Sequence, residues 1–246
     1  MIRVTIWNEF RHEKTDEKAR QLYPDGIHAF VGAFLKAPDV EVTLAALDDP
    51  EQGLSEERLN NTDVLMWWGH MAHGEVSDAL VERIRTRVLD GMGFIAMHSG
   101  HHSKPFRAIL GTTGNLTWGR EQRCFVWNLC PSHPIAAGIP TYFELNEELY
   151  SEPFYIPKPD DLIFGTWYED GNLFRGGATF TRGLGKIFYF HPGHETCDSF
   201  YNPYVQTILK NAVRWCAPAT TDATFDRKCN HQTNDRKPVD TPAKPY

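Results

Sequence analysis

Histidines follow several short apolar runs of this chain, and their clustering could support metal binding or proton transfer. Seven of the eleven histidines fall in WWGHMAH (67–73), HSGHH (98–102) and HPGHE (191–195), and His12 follows Glu9 in a fourth segment. Neutral imidazole is a common zinc ligand, and three histidines with a carboxylate or water form a familiar catalytic set. We therefore predict a metal site, with a metal-free acid–base cluster and purely structural histidines as alternatives.

Position along the chain ranks the candidates. His98 stands at the tip of a predicted strand-to-helix turn, which would hold it rigidly, and His70 ends the preceding strand. The predicted ligands of a divalent ion, with zinc preferred, are His70, His98 and His194. The predicted proton-transfer groups are Glu9, Glu195 and His191.

Aromatic and polar residues at the same strand ends predict a pocket for a sugar, which has flat C–H faces and many hydroxyls. One tryptophan of the adjacent pair Trp67 and Trp68 has to pack in the core, because side chains alternate across a strand. The predicted substrate-binding residues are Trp7, Asn8, Arg11, Trp68, His73 and His101. The acidic run ELNEELYSE (144–152) is more typical of a solvated edge, with Glu147, Glu148 and Tyr150 as candidate rim residues.

An α/β fold is predicted from the elements that carry these segments. Apolar runs at 2–8, 40–47, 63–69 and 93–99 are predicted strands, and helical patterns cover 24–36, the segment after Leu54, and 76–89. This alternation predicts a parallel sheet with helices on both faces. Ligands of such sheets bind beyond the carboxyl ends of the strands, where the histidines lie.

Residues 111–190 show less regular strand patterns, which favour antiparallel additions to the sheet, and 202–216 is a predicted closing amphipathic helix. We therefore predict one domain over 1–217. Residues 218–246 form a polar C-terminal extension rich in Pro and Thr. We expect this extension to lie against its own domain or a neighbouring subunit.

Composition excludes several classes of function. A net charge of -7 without a basic run argues against a nucleic-acid partner. The chain has no apolar run of bilayer length and no signal-peptide pattern at its start, so we expect no membrane partner and a cytoplasmic protein. Five cysteines without a C-x-x-C pair argue against disulfides and a zinc knuckle. Aromatic residues over 141–157 suggest a homo-oligomer.

Two segments resemble the class I glutamine amidotransferases. AMHSG (96–100) is similar to their nucleophile elbow, with His98 in the nucleophile position, and FYFHPGHE (188–195) is similar to the segment with their catalytic His and Glu. His191 matches that histidine, but Gly193 stands in place of the glutamate. The resemblance supports the fold and argues against amidotransferase activity, because two members of the Cys-His-Glu triad are missing.

A wider resemblance is to the trehalose-utilisation (ThuA-like) family, over roughly residues 2–216. It is carried by VTIWNEFRHE, DVLMWWGHMAH, GMGFIAMHSGHHSK, HPIAAGIP followed by ELY, and TRGLGKIFYFHPGHET. The resemblance implies a three-layer, flavodoxin-like or amidotransferase-like α/β fold without the triad. It also implies a role in catabolism of trehalose or related disaccharides, a divalent metal in the histidine-lined cleft, and a keto-sugar as substrate.

The first hypothesis is therefore a metal-dependent isomerase or hydrolase acting on a sugar or keto-sugar. The alternative is a non-catalytic carbohydrate-binding or regulatory protein on an amidotransferase-like scaffold. A third hypothesis is a metal-free hydrolase that uses Ser99, which lies one position past the elbow tip.

Overall fold

The computed structural model describes residues 1–218, which form one nine-stranded sheet with helices on both faces. The predicted extension lies, except for Pro218, outside the described residues. The helices are α1 (His12–Thr15), α2 (Glu17–Leu22), α3 (Ile27–Leu35), α4 (Glu56–Asn60), α5 (Asp78–Leu89), α6 (Lys104–Leu110) and α7 (Pro203–Cys216). The strands are β1 (Ile2–Asn8), β2 (Val40–Ala46), β3 (Val64–Trp68), β4 (Gly93–Met97), β5 (Thr117–Asn128), β6 (Tyr142–Ser151), β7 (Asp161–Tyr168), β8 (Leu173–Arg182) and β9 (Gly185–Phe190).

The sheet has a parallel and an antiparallel part that meet at β9. The strand order is β2-β1-β3-β4-β9-β8-β7-β5-β6. Pairings from β2 through β9 are parallel, and those from β9 through β6 are antiparallel. The predicted parallel sheet with antiparallel additions is confirmed.

Side chains that alternate along the parallel strands build two cores. On one face Val64, Met66 and Trp68 of β3 pack in the core that includes α3 and α7. On the other face Leu65 and Trp67 pack in the core that includes α4, α5 and α6. β3 and β4 are buried on both faces, which explains why their sequences are apolar without clean alternation.

The predicted helices form with small shifts at their ends. The helix predicted over 24–36 begins at Ile27, because Gly26 adopts a φ of 91° that ends the preceding turn. The helix predicted over 202–216 forms as α7, with the Asn202 side chain accepting a hydrogen bond from the backbone N–H of Tyr204. None of the helices within residues 1–218 is long and apolar enough to cross a membrane.

The first half of β5 and the second half of β6 form a two-stranded ribbon. β5 pairs with β7 only from Cys124 to Asn128, whereas its pairing with β6 begins at Thr117. Arg120 is an extra residue in this ribbon, since Gly119 faces Leu149 and the next pair is Glu121 with Glu148. Such a bulge changes which side chains share a face of the strand.

Candidate active site

His98 occupies the elbow between β4 and the following turn. Its φ of 50° is in the left-handed region, which is rare for a residue with a side chain and is typical of strained functional turns. The imidazole is fully buried, and its Nδ1 lies 3.0 Å from the carbonyl oxygen of His191. Because that carbonyl can only accept, Nδ1 carries the proton, and in the neutral ring Nε2 has the free lone pair.

Four side chains surround the position in front of His98. The ligand atoms of His70, His98, His194 and Glu195 all lie within 4.8 Å of one another. They follow β3, β4 and β9, which are adjacent in the sheet. The three histidines predicted as metal ligands are therefore brought together by the fold, with a carboxylate beside them.

Glu195 is the carboxylate at the centre of this cluster. Its side chain is 4% exposed and lies 3.0 Å from His70 Nδ1, 3.2 Å from His12 Nε2 and 3.5 Å from His194 Nε2. Burial by itself raises the pKa of the carboxyl, but the hydrogen bond from His70 and the charges of the other histidines outweigh burial and hold the pKa at about 2. The group is ionised, as a metal ligand has to be.

Glu9 positions His70 instead of facing the cluster. Its Oε1 accepts a hydrogen bond from the backbone N–H of Met71, and its Oε2 accepts one from that of Ala72, both at 2.9 Å. With its carboxylate buried and occupied in this way, Glu9 fixes the loop after β3. This position differs from the predicted one, in which Glu9 was a general base in the pocket.

Glu148 and Tyr150 reach the cluster from the ribbon. Glu148 Oε2 lies 3.1 Å from His98 Nε2, and the Tyr150 ring stacks on His98 with a centroid distance of 5.0 Å. Burial lowers the pKa of His98, but the hydrogen bond to Glu148 and the charges of three nearby carboxylates outweigh it and raise this pKa to about 9. A lone pair on His98 Nε2 would repel the carboxylate, so this position needs either a proton or a cation.

A second carboxylate orients His194. Its Nδ1 lies 2.9 Å from Thr196 Oγ1, and that hydroxyl donates to Glu121 Oε1. The backbone N–H of Thr196 also lies 3.2 Å from Nδ1. Because that N–H can only donate, Nδ1 accepts from it, and Nε2 carries the proton of the neutral ring, 3.5 Å from Glu195 Oε1. Binding of an ion through Nε2 requires the other tautomer, in which Nδ1–H donates to the Thr196 hydroxyl.

The loop that carries His194 is held by Glu147. Glu147 Oε2 accepts hydrogen bonds from the backbone N–H of Gly193 at 2.6 Å and from Ser199 Oγ at 2.7 Å. Gly193 has a φ of 136°, and a Cβ there would lie 2.5 Å from the Phe200 ring. A glutamate at position 193, as in the amidotransferases, does not fit this backbone.

A cavity of about 450 Å³ opens in front of the cluster. It is lined by His70, His73, Ser99, His101, His102, Asn115, Leu116, Trp118, Glu148 and Tyr150. Burial and repulsion by His102 lower the pKa of His73 to about 4, and burial lowers that of His101 to about 3. These two rings are therefore neutral. His101 Nδ1–H donates to the carbonyl of Gly114 at 2.6 Å, so this ring offers a ligand the Nε2 lone pair.

Other predicted substrate-binding residues do not reach this cavity. Trp7 stacks on Trp67 at 3.7 Å in the core, and Trp68 is fully buried, with Nε1 donating to the carbonyl of Gly193. Asn8 is buried and donates to Glu13. Arg11 forms surface ion pairs with two carboxylates, those of Asp48 and Glu75. The strand ends were predicted correctly, but these side chains face the core or the outer surface.

His191 lies beneath the cluster instead of inside the cavity. It is fully buried, and its Nε2 is 3.1 Å from the carbonyl of Glu148, while its own carbonyl accepts the proton of His98 Nδ1. Burial holds its pKa well below the usual value, so the ring is neutral. The Ser99 hydroxyl lines the cavity but donates to the carbonyl of Gly69 at 2.7 Å.

Sequence analysis missed Glu121, Thr196 and Trp118, and it favoured a solvated edge for the run that contains Glu148. Alternation along this strand gave no signal for Glu148, because it holds only over 142–147 and places the buried positions at Phe143, Leu145 and Glu147. The bulge at Arg120, which places Glu121 opposite Glu148, has no recognisable pattern in the sequence.

Comparison with known proteins identifies the family and the fold. The family model described as trehalose utilisation (ThuA) matches residues 3–216. A ThuA-like protein from Bacteroides uniformis superposes with a TM-score of 0.65 at 14% identity, covering 92% of this chain and 94% of that one. A ThuA-like protein from Parabacteroides merdae gives a TM-score of 0.64 at 14% identity, covering 90% and 92%.

The amidotransferase likeness extends to the structure. A glutamine amidotransferase from Thermotoga maritima superposes with a TM-score of 0.51 at 12% identity, covering 87% of this chain and 97% of that one. At this identity the likeness concerns the fold alone. A search of curated proteins gives no significant match.

Proposed function

Since the chain belongs to the trehalose utilisation (ThuA) family, we propose that it is a metal-dependent enzyme of sugar catabolism. Its substrate is trehalose, a related disaccharide, or a keto-sugar derived from one, and its reaction is an isomerisation or a hydrolysis. The observation that carries the proposal is the convergence of His70, His98, His194 and Glu195 within 4.8 Å.

The donor set fits a divalent ion, and zinc in particular. Three imidazoles and one carboxylate are ligands that zinc prefers. His98 has a hydrogen-bond acceptor for Nδ1–H, which leaves Nε2 for the ion. His194 offers Nε2 to the ion in the tautomer whose Nδ1–H donates to the Thr196 hydroxyl. The ion would supply a positive charge that polarises a carbonyl or hydroxyl, or lowers the pKa of a water.

Glu148 is the group that this geometry favours for moving the proton. Its side chain is 10% exposed and borders the cavity, and its Oε2 lies beside His98 and His194. The hydrogen bond to His98 and the charges of nearby histidines outweigh the effect of burial and lower its pKa, so Glu148 is ionised and can accept a proton. Tyr150, whose hydroxyl is 3.3 Å from His98 Nε2, borders the same position.

The cavity lining supports a neutral, hydroxyl-rich ligand. Neutral His73 and His101 offer hydrogen bonds without a net charge, and Asn115 adds an amide. Trp118 and Tyr150 add aromatic surface for the apolar faces of a sugar ring. The proposal includes a cytoplasmic location and a homo-oligomeric state; a Salmonella typhimurium protein of similar fold is described as cytoplasmic.

The test uses the full chain loaded with zinc, incubated with trehalose and with trehalose in which one ring hydroxyl is oxidised to a ketone. Product formation is followed by NMR, and zinc content is measured in the same samples. The wild type should convert a sugar, and His98→Ala should lose zinc and turnover together. If His98→Ala keeps its sugar affinity within a few-fold and the wild type shows no turnover, the non-catalytic binding protein is the better account.

A further inference from the structure

Trp118 is an exposed aromatic side chain on the face of the ribbon that borders the site. In the β5–β6 ladder it faces Tyr150 directly, and directly opposed residues of an antiparallel pair project to the same side. Tyr150 stacks on His98, so the indole lies on the same side, farther from the elbow. Its exposed fraction of 71% is high for so large an apolar side chain beside a cavity.

A second cavity lies on the other side of this indole. It has a volume of about 510 Å³ and is lined by Trp118, Gly119, Arg120, Glu121, Glu148 and His194. Trp118 and Glu148 border both this cavity and the cavity of about 450 Å³ in front of the cluster. Each volume is within the range of about 300–1,000 Å³ that is usual for small-molecule sites.

The bulge gives the second cavity a polar wall. In a regular strand Arg120 would pair with Glu148, and alternation would turn Glu121 away from the side that Trp118 occupies. With the bulge, Glu121 faces Glu148, and both carboxylates lie on the same side of the ribbon as the indole. Arg120 itself is exposed at the rim. Carboxylates and a guanidinium around an aromatic face can bind the hydroxyls of a sugar ring while the indole contacts its C–H face.

We propose that the second cavity is a separate sugar-ring subsite and that Trp118 is the platform shared by the two rings of a disaccharide. One ring lies in the histidine-lined cavity and the other lies against the indole, next to Arg120 and Glu121. This inference rests on the proposed function, because it assumes that the first cavity takes a sugar. It predicts that the protein binds a disaccharide more tightly than a monosaccharide and that the Trp118 side chain causes this difference in affinity.

The test compares Trp118→Ala, Trp118→Phe and the control Trp167→Ala by calorimetric titration of the full chain. Trp167 is also an exposed β-strand tryptophan, but it lies on β7 away from both cavities. The ligands are glucose and trehalose, each also with one ring hydroxyl oxidised to a ketone. We expect the disaccharide to bind the wild type about tenfold more tightly than its matching monosaccharide, which is the usual size of the effect of one aromatic contact.

Trp118→Ala should remove this preference, because it weakens binding of the disaccharide more than binding of the monosaccharide, whose ring still contacts Tyr150 and the histidines of the first cavity. Trp118→Phe should restore part of the preference, and Trp167→Ala should match the wild type. Equal affinity of the wild type for one and two rings, or equal weakening of both by Trp118→Ala, would overturn the subsite while leaving the proposed function intact. Failure of the wild type to bind any of the four sugars would contradict the proposed function itself.

Discussion

The ends of β3, β4 and β9 and the ribbon of β5 and β6 meet at one cavity but bring different side chains to it. The strand ends supply three imidazoles and Glu195, held by backbone carbonyls, backbone N–H groups and a hydroxyl. The ribbon supplies Glu148, Tyr150 and the exposed Trp118. Under the proposed function, the strand ends would hold the metal and the ribbon would bind the sugar and accept its proton, so substitutions should affect these two tasks separately.

Glu148→Gln should have the largest effect, because it removes the proton acceptor of the ribbon and leaves the predicted metal ligands in place. Turnover should fall by about 10²- to 10⁴-fold, the usual contribution of a general base, while zinc content stays close to that of the wild type. The measurement is kcat together with metal content. Glu144→Gln, at an exposed position of the same strand, is the matched control and should leave both unchanged. Loss of zinc along with turnover would place Glu148 among the metal ligands.

Thr196→Val should lower the affinity for the metal and leave the proton acceptor Glu148 in place. The substitution removes the hydroxyl between His194 and Glu121, so the imidazole loses the partner that orients it. Zinc affinity should fall by about 10- to 100-fold, as is usual for outer-shell partners, when measured by competition with a chelator. Thr207→Val, at a half-buried position of α7, is the control. Unchanged zinc affinity in Thr196→Val would show that the backbone alone orients His194.

Tyr168→Phe should test how the ribbon is attached to the sheet, with the smallest effect of the three. The hydroxyl of Tyr168 donates a hydrogen bond to the carbonyl of Glu148 at 2.7 Å and accepts one from the backbone N–H of Tyr150 at 3.1 Å. The free energy of unfolding in urea should fall by only about 1 kcal/mol, because His191 Nε2 still donates a hydrogen bond to the Glu148 carbonyl. Tyr155→Phe, with its side chain exposed, should cost nothing. If Tyr168→Phe is as stable as Tyr155→Phe, the Tyr168 hydroxyl contributes nothing and packing holds the ribbon on the sheet.

The parallel half could be predicted from sequence because its signals are local. Apolar runs give the strands, and the carboxyl ends of parallel strands meet at one edge, so His70, His98 and His194 could be grouped without a structure. Which way each side chain points was harder to predict. Trp7 and Trp68 sit at the right strand ends, but both pack into the core.

The ribbon could not be predicted in the same way because its contribution depends on non-local pairing. Because Arg120 bulges out of the ladder, Glu121 takes its place opposite Glu148, and no turn or capping pattern marks this bulge. In the sequence, acidic residues such as Glu147 are typical of a solvated edge. Only the structure shows that Glu147 accepts a hydrogen bond from a buried backbone N–H, that of Gly193. The histidines could therefore be predicted, because the order of the parallel strands brings them together. The ribbon residues could not, because their positions depend on the pairing register of β5 and β6.

The most direct measurement is elemental analysis of the full chain, purified without nickel resin, loaded with zinc and dialysed. Wild type, Glu148→Gln and Thr207→Val should each retain close to one divalent ion per chain. His70→Ala and His98→Ala should retain almost none, because each lacks an imidazole of the cluster. An ion-free wild type, or an ion that remains in His98→Ala at full occupancy, would contradict the metal site on which this account depends.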